Sequence, residues 1–259
     1  MKTIVITGAA SGLGRGLAAR FVADGDRVVG MDRDHEALQA VAAELGDRFT
    51  PVTCDLLDTA ALRTTAEAIA AEGPVDMLIH NAGIVTGKPF TEIEDGEVER
   101  VFGVNVFAPF LLTRIFLPGM IRAGRGHVVT IASAGGLVAT ARMAPYASSK
   151  FAAVGFDEAL RYDLQRAGHP VKTTVVCPFY INTGMFDGVK TRVPWLLPIL
   201  KPEYAVGRIH RAIRKGRRRL IMPRFVYAVY LVRLLPVPVF DALVRWLGIT
   251  SSMDEFRGR

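Results

Sequence analysis

The feature that most constrains the fold is a glycine loop between a predicted strand and a predicted helix near the N-terminus. Lys2 to Thr7 is a short β-branched run, and the glycines begin directly after it. Glycines let the backbone come close to a bound group, and a helix that starts there offers free N–H groups and its positive dipole end. The spacing Gly-x-x-x-Gly-x-Gly differs from the Gly-x-Gly-x-x-Gly fingerprint, so a plain tight turn is the alternative. The predicted phosphate-binding residues are Gly8, Ser11, Gly12, Leu13 and Gly14.

Strand and helix patterns alternate along the 259 residues, without internal repeats or linkers. This alternation predicts a single α/β domain built on one doubly wound parallel sheet, Rossmann-like, with helices on both faces. We expect residues 1–193 to form a dinucleotide-binding and catalytic core. Residues 194–259 are expected to form a substrate lid and an apolar, basic C-terminal extension of the same domain.

The end of the second predicted strand bears on cofactor choice. Arg27 to Met31 is followed by Asp32, whose carboxylate can accept hydrogen bonds from both adenosine ribose hydroxyls and would repel a 2′-phosphate. NAD is therefore predicted in preference to NADP. Arg33 works against this preference because its guanidinium can pair with such a phosphate. Alternatively, Asp32 caps the helix that begins near Asp34, or does both.

Other strand ends are predicted to meet at the same edge of the sheet, where open α/β sheets bind ligands. Asp55 follows the predicted strand Phe49–Thr53 and is a candidate partner for the adenine amino group, although a lone Asp is often a helix cap. Beyond strand Val171–Cys177, Thr183 is a candidate partner for the nicotinamide carboxamide. The further candidate cofactor contacts are Leu56, Asn81, Ala82, Gly83, Tyr146, Lys150, Pro178 and Ile181.

Tyr146 and Lys150 are the candidate proton-transfer pair. On a helix they are spaced i, i+4, so the ammonium is expected to lower the pKa of the phenol. Ser133, at the end of an apolar run, is expected to hold a substrate oxygen beside them. The three residues together suit an alcohol or carbonyl site. Asn105 lies in a long helical pattern from Glu97 to Ile121 and either holds a water on a proton path or bonds to local backbone. A surface helix with an ordinary aromatic contact is the alternative for the pair.

The loop after the last core strand is rich in apolar side chains, of which Phe179, Met185 and Phe186 are the candidate substrate contacts. Such a lining suits a hydrophobic substrate, whereas a loop that packs onto the core is the plainer interpretation. A proline-broken apolar segment, 194–200, is a candidate lid. The histidines are scattered without ligand spacing, and we expect no metal site.

Positive charge is concentrated at the C-terminus: residues from Lys201 onward carry 13 Lys or Arg against 4 Asp or Glu. Arginines beside aromatic and aliphatic residues are typical of a segment that contacts a membrane surface, but helices packed on the core or on a second subunit explain them too. We expect peripheral membrane contact or a homo-oligomer, and no nucleic acid partner. The two cysteines are predicted to be buried thiols, and no stretch is expected to span a membrane, which favours the cytoplasm.

These motifs together resemble the short-chain dehydrogenase/reductase family. The resemblance is carried, across roughly residues 1–190, by Thr7-Gly8-x-x-x-Gly12-x-Gly14, Asn81-Ala82-Gly83, Asn105, Ser133 and Tyr146-x-x-x-Lys150. It implies that Tyr146 is the catalytic acid/base and that Ser133 orients the substrate oxygen. It also implies that Lys150 lowers the pKa of the tyrosine and holds the nicotinamide ribose, and that Asn105 completes a proton relay.

The C-terminal sequence resembles the branch that holds retinol dehydrogenases and 17β-hydroxysteroid dehydrogenases. The matching stretches are Cys177–Phe186, Lys201–Glu203, Leu220–Pro223 and Leu247 to Asp254. The expected function is an NAD(H)-dependent oxidoreductase that interconverts an alcohol and its carbonyl on a retinoid, steroid or long-chain lipid-like substrate. The alternatives are an NADPH-dependent reductase of small ketones or 3-oxoacyl thioesters, and a non-catalytic nucleotide-binding or membrane-surface protein.

Overall fold

The predicted fold class is confirmed by the computed structural model, which describes residues 1–258. Seven parallel strands form one sheet in the order β3-β2-β1-β4-β5-β6-β7. Because β2 and β4 flank β1 on opposite sides, the chain reverses direction across the sheet there and opens a crevice at the carboxyl ends of the strands. The strands are β1 Thr3–Thr7, β2 Arg27–Asp32, β3 Phe49–Thr53, β4 Met77–His80, β5 Gly126–Ile131, β6 Val171–Pro178 and β7 Arg219–Met222.

Helices cover both faces of the sheet, which explains why the central strands are almost continuously apolar. Phe21 of the first helix belongs to the core on one face, and Phe116 belongs to the core on the other face. Both side chains are fully buried or nearly so. The helices are α1 Gly12–Ala23, α2 His35–Leu45, α3 Thr59–Ala71, α4 Glu97–Phe102, α5 Ala108–Arg122, α6 Ala144–Arg166, α7 Pro202–Arg214, α8 Val229–Val232 and α9 Val237–Trp246.

The predicted long helix from Glu97 onward is interrupted by a π-helical turn, Gly103–Phe107, that joins α4 to α5. The wider turn includes Asn105, and such turns are frequent at functional sites. The stretch Glu97–Arg122 is also long and apolar enough to cross a membrane by length and composition, so the expectation that no stretch reaches this threshold is wrong. Half of its most apolar part is buried, and α5 packs against α3, so core packing accounts for its composition.

The C-terminal part of the chain completes the sheet and then folds over it. β7 pairs with β6, and α7 packs against α1 on one face. The last residues run back along the loop that follows β6, since Lys190 N–H donates to the Ser252 carbonyl and Arg257 N–H donates to the Asp187 carbonyl. The loop that carries the predicted substrate contacts is therefore held by the C-terminal tail.

Candidate active site

The glycine loop joins β1 to α1 at the crevice and leaves no room for side chains. A Cβ atom on Gly14 would lie 1.9 Å from the carbonyl oxygen of Gly8, and Gly8 and Gly12 both have positive φ angles. The Gly8 N–H donates to the carbonyl of Met31 at 2.8 Å, which fixes the loop to β2. The first turn of α1 therefore presents its N–H groups to the crevice, as the glycine pattern predicts.

Asp32 stands at the end of β2 with its carboxylate tied to the glycine loop. Oδ2 accepts a hydrogen bond from the Ala10 N–H at 3.0 Å, and Oδ1 accepts one from the Asp34 N–H at 3.1 Å. The cap of α2 is Asp34, which accepts from the Ala37 N–H, so the alternative role of Asp32 as helix cap is wrong. A carboxylate oxygen has two lone pairs, and each Asp32 oxygen keeps one for a ligand hydroxyl.

A similar arrangement is found at the end of β3. Asp55 accepts a hydrogen bond from the Leu57 N–H at 2.9 Å, whereas the cap of α3 is Asp58. Asp55 is therefore not a helix cap, and it lines the crevice with lone pairs left for a ligand.

Asn81 connects β4 to the glycine loop. Its side-chain amide donates to the carbonyl oxygens of Thr7 and Gly8 at 3.0 and 3.1 Å. His80, just before it, is buried with Nε2 2.8 Å from the Thr113 hydroxyl, and burial lowers the pKa of its imidazole to about 3. His80 is thus a neutral core residue, and Asn81 fixes the position of the loop.

The four predicted catalytic residues converge at the carboxyl ends of β4 and β5. The Lys150 ammonium donates to the carbonyl oxygen of Ile131 at 3.0 Å and lies 5.5 Å from the centre of the Tyr146 ring. Ser133 follows β5, and its hydroxyl accepts from the Gly135 N–H at 3.0 Å. The i, i+4 spacing on α6 therefore brings lysine and tyrosine together, beside the serine.

Asn105 holds the π-helical turn to the loop after β4. Its Oδ1 accepts from the Ile84 N–H at 2.9 Å, and its amide donates to the Ile84 carbonyl at 3.0 Å and to the Ser149 hydroxyl at 2.9 Å. The Ser149 hydroxyl in turn donates to the Tyr146 carbonyl at 2.7 Å. The buried amide is satisfied by protein groups, which favours the local-backbone interpretation and adds Ser149, a residue that the sequence analysis did not single out.

Burial governs the protonation of the site. It raises the pKa of the Tyr146 phenol well above its usual value, and the neighbouring Ser133 hydroxyl offsets part of that rise. Burial also lowers the pKa of Lys150 to about 8. The pKa of Tyr146 is raised although the Lys150 ammonium lies nearby, so the lowering predicted from the i, i+4 spacing is not found in the protein alone. Desolvation of a phenolate in an apolar site is the physical reason.

The crevice has the shape and the donors that a dinucleotide needs. It has a volume of about 350 Å³ and extends from Asp32 to the catalytic group at Tyr146 and Lys150. The glycine loop leaves room for a pyrophosphate beside the α1 N-terminus, and Asp32 has acceptors for ribose hydroxyls. The predicted residues that line this cleft are Gly8, Ser11, Gly12, Leu13, Asp32, Arg33, Asp55, Leu56, Asn81, Ala82, Gly83, Ser133, Tyr146, Lys150, Pro178, Phe179, Ile181, Thr183, Met185 and Phe186. Gly14 lies behind this lining.

An apolar cavity of about 110 Å³ adjoins the cleft at Ser133, Phe179 and Phe186. Of the predicted lid 194–200, only Leu197 lines it, whereas Trp195 is 83% exposed. Residues of the C-terminal helices form its outer wall and were not predicted from the sequence. A signal for them was the i, i+4, i+7 spacing of Phe240, Val244 and Leu247, on α9 and directly after it. These wall residues are Phe225, Val226, Ala228, Val229, Val232, Phe240, Val244 and Leu247.

Within residues 1–258, no group of three or more His, Cys, Asp or Glu side chains is arranged to hold a metal ion. The two cysteines, Cys54 and Cys177, are buried and free, as predicted.

Known proteins resemble this chain along nearly its whole length. The family model described as short chain dehydrogenase matches residues 2–193. "Epidermal retinol dehydrogenase 2" of Mus musculus is 41% identical over 265 residues, which cover 100% of this chain and 86% of the relative. "Retinol dehydrogenase 10-B" of Danio rerio is 35% identical, with 98% and 84% covered.

Two solved structures show the same architecture with different cofactors. A short-chain dehydrogenase/reductase from Burkholderia phymatum in complex with NAD is 29% identical, with a TM-score of 0.80 and 90% and 93% of the two chains covered. A short-chain dehydrogenase from Sphingobium yanoikuyae in complex with NADPH is 25% identical, with a TM-score of 0.79 and 97% and 96% covered. Structural neighbours of this chain thus bind NAD or NADP.

Proposed function

The chain belongs to the short-chain dehydrogenase family and is an NAD(P)-dependent oxidoreductase of alcohols and carbonyls, and from this premise we propose its substrate and its cofactor. The proposed reaction interconverts an alcohol and its carbonyl on an apolar body of retinoid, steroid or long-chain lipid type, with NAD as the cofactor. The two relatives named as retinol dehydrogenases support the apolar substrate class.

One observation carries the proposal: the polar cleft and the apolar cavity share a boundary. Ser133, Phe179 and Phe186 line both spaces, and the Tyr146 ring packs edge-on against Phe186 with centroids 5.8 Å apart. A substrate oxygen at Ser133 would let an apolar body extend into the cavity, whose other lining residues are almost all apolar. The position of the boundary therefore favours a hydroxyl or carbonyl group at the end or edge of a large apolar molecule.

Each catalytic residue has a proposed task at that boundary. The Ser133 hydroxyl holds the substrate oxygen, and the Tyr146 phenol gives a proton to that oxygen in carbonyl reduction or takes one from it in alcohol oxidation. When bound, the nicotinamide supplies or accepts the hydride. The raised pKa of Tyr146 keeps its phenol protonated at neutral pH, which suits the donor role. Lys150 would supply a positive charge near the phenol. Asn105 would hold the π-helical turn in place and, through Ser149, the α6 backbone at Tyr146.

The preference for NAD rests on Asp32. Its carboxylate is fixed by the Ala10 and Asp34 N–H groups at the place where the adenosine ribose would lie, and it would repel a 2′-phosphate. Arg33 lines the same end of the cleft and is the group that favours NADP. We propose that the fixed carboxylate outweighs the exposed guanidinium.

Turnover by the purified protein tests the proposal. NAD reduction, followed by nicotinamide absorbance, is measured with alcohols graded from short aliphatic through long-chain and steroid to retinol. We expect kcat/KM to rise with apolar size. Turnover of short alcohols alone would contradict the substrate class, and higher rates with NADPH on small ketones or 3-oxoacyl thioesters would favour the alternative reductase.

The division of the chain, its location and its assembly stay proposals. We propose that residues 1–193 bind the cofactor and catalyse the reaction, and that residues 194–259 define the substrate space. We also propose a cytoplasmic location and a homo-oligomer, and exposed aromatic side chains outside the cavity support the oligomer alone: Phe107, Phe110 and Phe151, on and beside α5 and α6. Light scattering of the purified protein measures the subunit number, and a monomer at micromolar concentration would contradict the oligomer.

A further inference from the structure

The segment Leu231–Val239, here called the hairpin tip, joins α8 to α9 and is exposed although it is apolar. Leu231 is 72% exposed, Leu234 is 81% exposed and Val237 is 70% exposed. The surrounding run Phe225–Phe240 contains a single charged residue, Arg233. A contiguous apolar surface of this kind marks an interaction site in a stable protein.

The side chain of Arg233 is turned away from that surface. Its Nε and Nη2 atoms donate to the carbonyl oxygen of Leu137 at 2.9 and 2.6 Å. The guanidinium also lies 5.4 Å from the ring centres of both Phe151 and Phe240. Because these contacts hold the only charge of the run against the protein body, the exposed face of the hairpin tip carries none.

The two helices that the hairpin tip joins, α8 and α9, are here called the hairpin, and they line the apolar cavity with their inner face. Val229 and Val232 of α8 face the cavity, whereas Leu231 between them is exposed. On α9, Phe240 and Val244 line the cavity. These two helices are thus apolar both toward the cavity and toward the solvent.

The charges at the border of the hairpin select the partner. Arg224 precedes the apolar run, Arg245 lies near the end of α9, and both are exposed. Arg192, also exposed, packs against Gly248 just after α9. Asp241 is the sole carboxylate between Phe225 and Trp246. A second copy docked on this face would bring like charges together, whereas anionic headgroups would pair with them.

We propose that the hairpin tip docks on an anionic phospholipid bilayer, with Leu231, Leu234 and Val237 among the acyl chains and the bordering arginines at the headgroups. Exposed Val239, Leu243 and Trp246 extend the contact, since their i, i+4, i+7 spacing places them on one side of α9 beside the cavity stripe. Apolar alcohols then pass from the bilayer across the hairpin into the cavity. This entry route, unlike the docking, rests on the proposed function.

Vesicle flotation tests the docking. The full-length protein is floated with phosphatidylcholine vesicles and with vesicles that contain phosphatidylglycerol, beside the variant Leu231→Ser/Leu234→Ser/Val237→Ser and the control Phe90→Ser/Phe107→Ser. We expect binding to the anionic vesicles that weakens with salt, is kept by the control, and falls at least about 10-fold in the tip variant. Absence of wild-type binding, or equal binding by the tip variant, would overturn the docking. Light scattering that shows a smaller assembly for the tip variant would assign the surface to a second copy and overturn it too.

Two substrates then separate the entry route from the proposed function. The rate is measured with a short water-soluble alcohol and with a long-chain alcohol dissolved in the anionic vesicles. We expect the tip variant to turn over the water-soluble alcohol at the wild-type rate, because its folded site is intact. Its rate with the long-chain alcohol in vesicles should be at least about fivefold lower than that of the wild type, because its contact with the bilayer is lost. Equal vesicle rates for wild type and variant would overturn the entry route. No turnover of either alcohol by the wild type would sink the proposed function and the entry route together, while the flotation result would still decide the docking.

Discussion

The cofactor cleft and the substrate cavity meet at Ser133 but are built in opposite ways. In the cleft, polar groups lie at strand ends and are fixed by backbone hydrogen bonds, as with Asp32 on the Ala10 N–H and Asn81 on the carbonyls of the glycine loop. In the cavity, apolar side chains from distant parts of the chain meet without directional bonds, as with Val138 and Val229. Sheet topology therefore sets what the cleft can bind, and packing of the C-terminal helices sets what the cavity can bind.

The substitution with the largest expected effect separates proton transfer at the boundary from the binding of cofactor and substrate. Tyr146→Phe removes the phenolic hydroxyl and keeps the ring packed against Phe186. We expect kcat to fall by about 10³-fold, within the usual range for loss of a general acid or base, because the phenol is the group that exchanges the proton with the substrate oxygen in the proposed reaction. Affinity for NAD, measured by isothermal titration, should stay within about threefold of wild type. Loss of NAD binding in this variant would show that the phenol holds the cofactor and would contradict its role as the proton-transfer group.

This difference between the two regions also explains how far the sequence analysis reached. The predicted strand Phe49–Thr53 has the observed bounds, and the acidic residues at strand ends lie on the predicted edge, because β-branched runs and glycines act locally. The π-helical turn at Gly103–Phe107 and the inward guanidinium of Arg233 were not predicted. Both depend on contacts with residues far along the chain. The raised pKa of Tyr146 was not predicted either, because the spacing indicates a nearby ammonium but not how completely the phenol is buried.

A change in the cavity wall is expected to alter substrate choice and leave the cleft intact. Ala228 lines the cavity, and Ala242 is an exposed alanine on α9, so Ala228→Phe and Ala242→Phe form a matched pair. Ala228→Phe should lower kcat/KM for a long apolar alcohol by about 10- to 100-fold, because the ring fills space that the substrate body needs. The rate with a short alcohol and the behaviour of Ala242→Phe should change little. Equal losses for both alcohols would indicate damage to the fold instead of a filled cavity.

The converse change affects the cleft alone. Asp32→Asn removes the negative charge but keeps an oxygen that can accept from the Ala10 N–H. We expect the ratio of kcat/KM for NAD to that for NADP to fall about 10-fold, because a 2′-phosphate is no longer repelled. Arg33→Ala should shift the ratio in the opposite direction, and the order of rates among apolar alcohols should be unchanged in both variants. An unaltered ratio in Asp32→Asn would mean that Arg33 or another group decides the preference.

The smallest effect concerns stability, and it tests how dry the boundary is. Burial lowers the pKa of Lys150 to about 8 from its ordinary 10.5, so between these pH values the unfolded chain binds a proton that the folded protein does not. The free energy of unfolding should therefore rise with pH across this window relative to Lys150→Met, by roughly 1 to 3 kcal/mol in total. Below pH 8 the destabilisation by the buried ammonium should be constant.

Burial raises the pKa values of Tyr146 and Cys177, which lowers stability at alkaline pH, but both groups are present in both proteins and their effects largely cancel in the difference. Urea unfolding of the cofactor-free proteins from pH 7 to 10.5 measures the difference, with exposed Lys172→Met as the control. If the curves of wild type and Lys150→Met run parallel, the ammonium is hydrated, and the boundary between cleft and cavity is wetter than the packing around Tyr146 indicates.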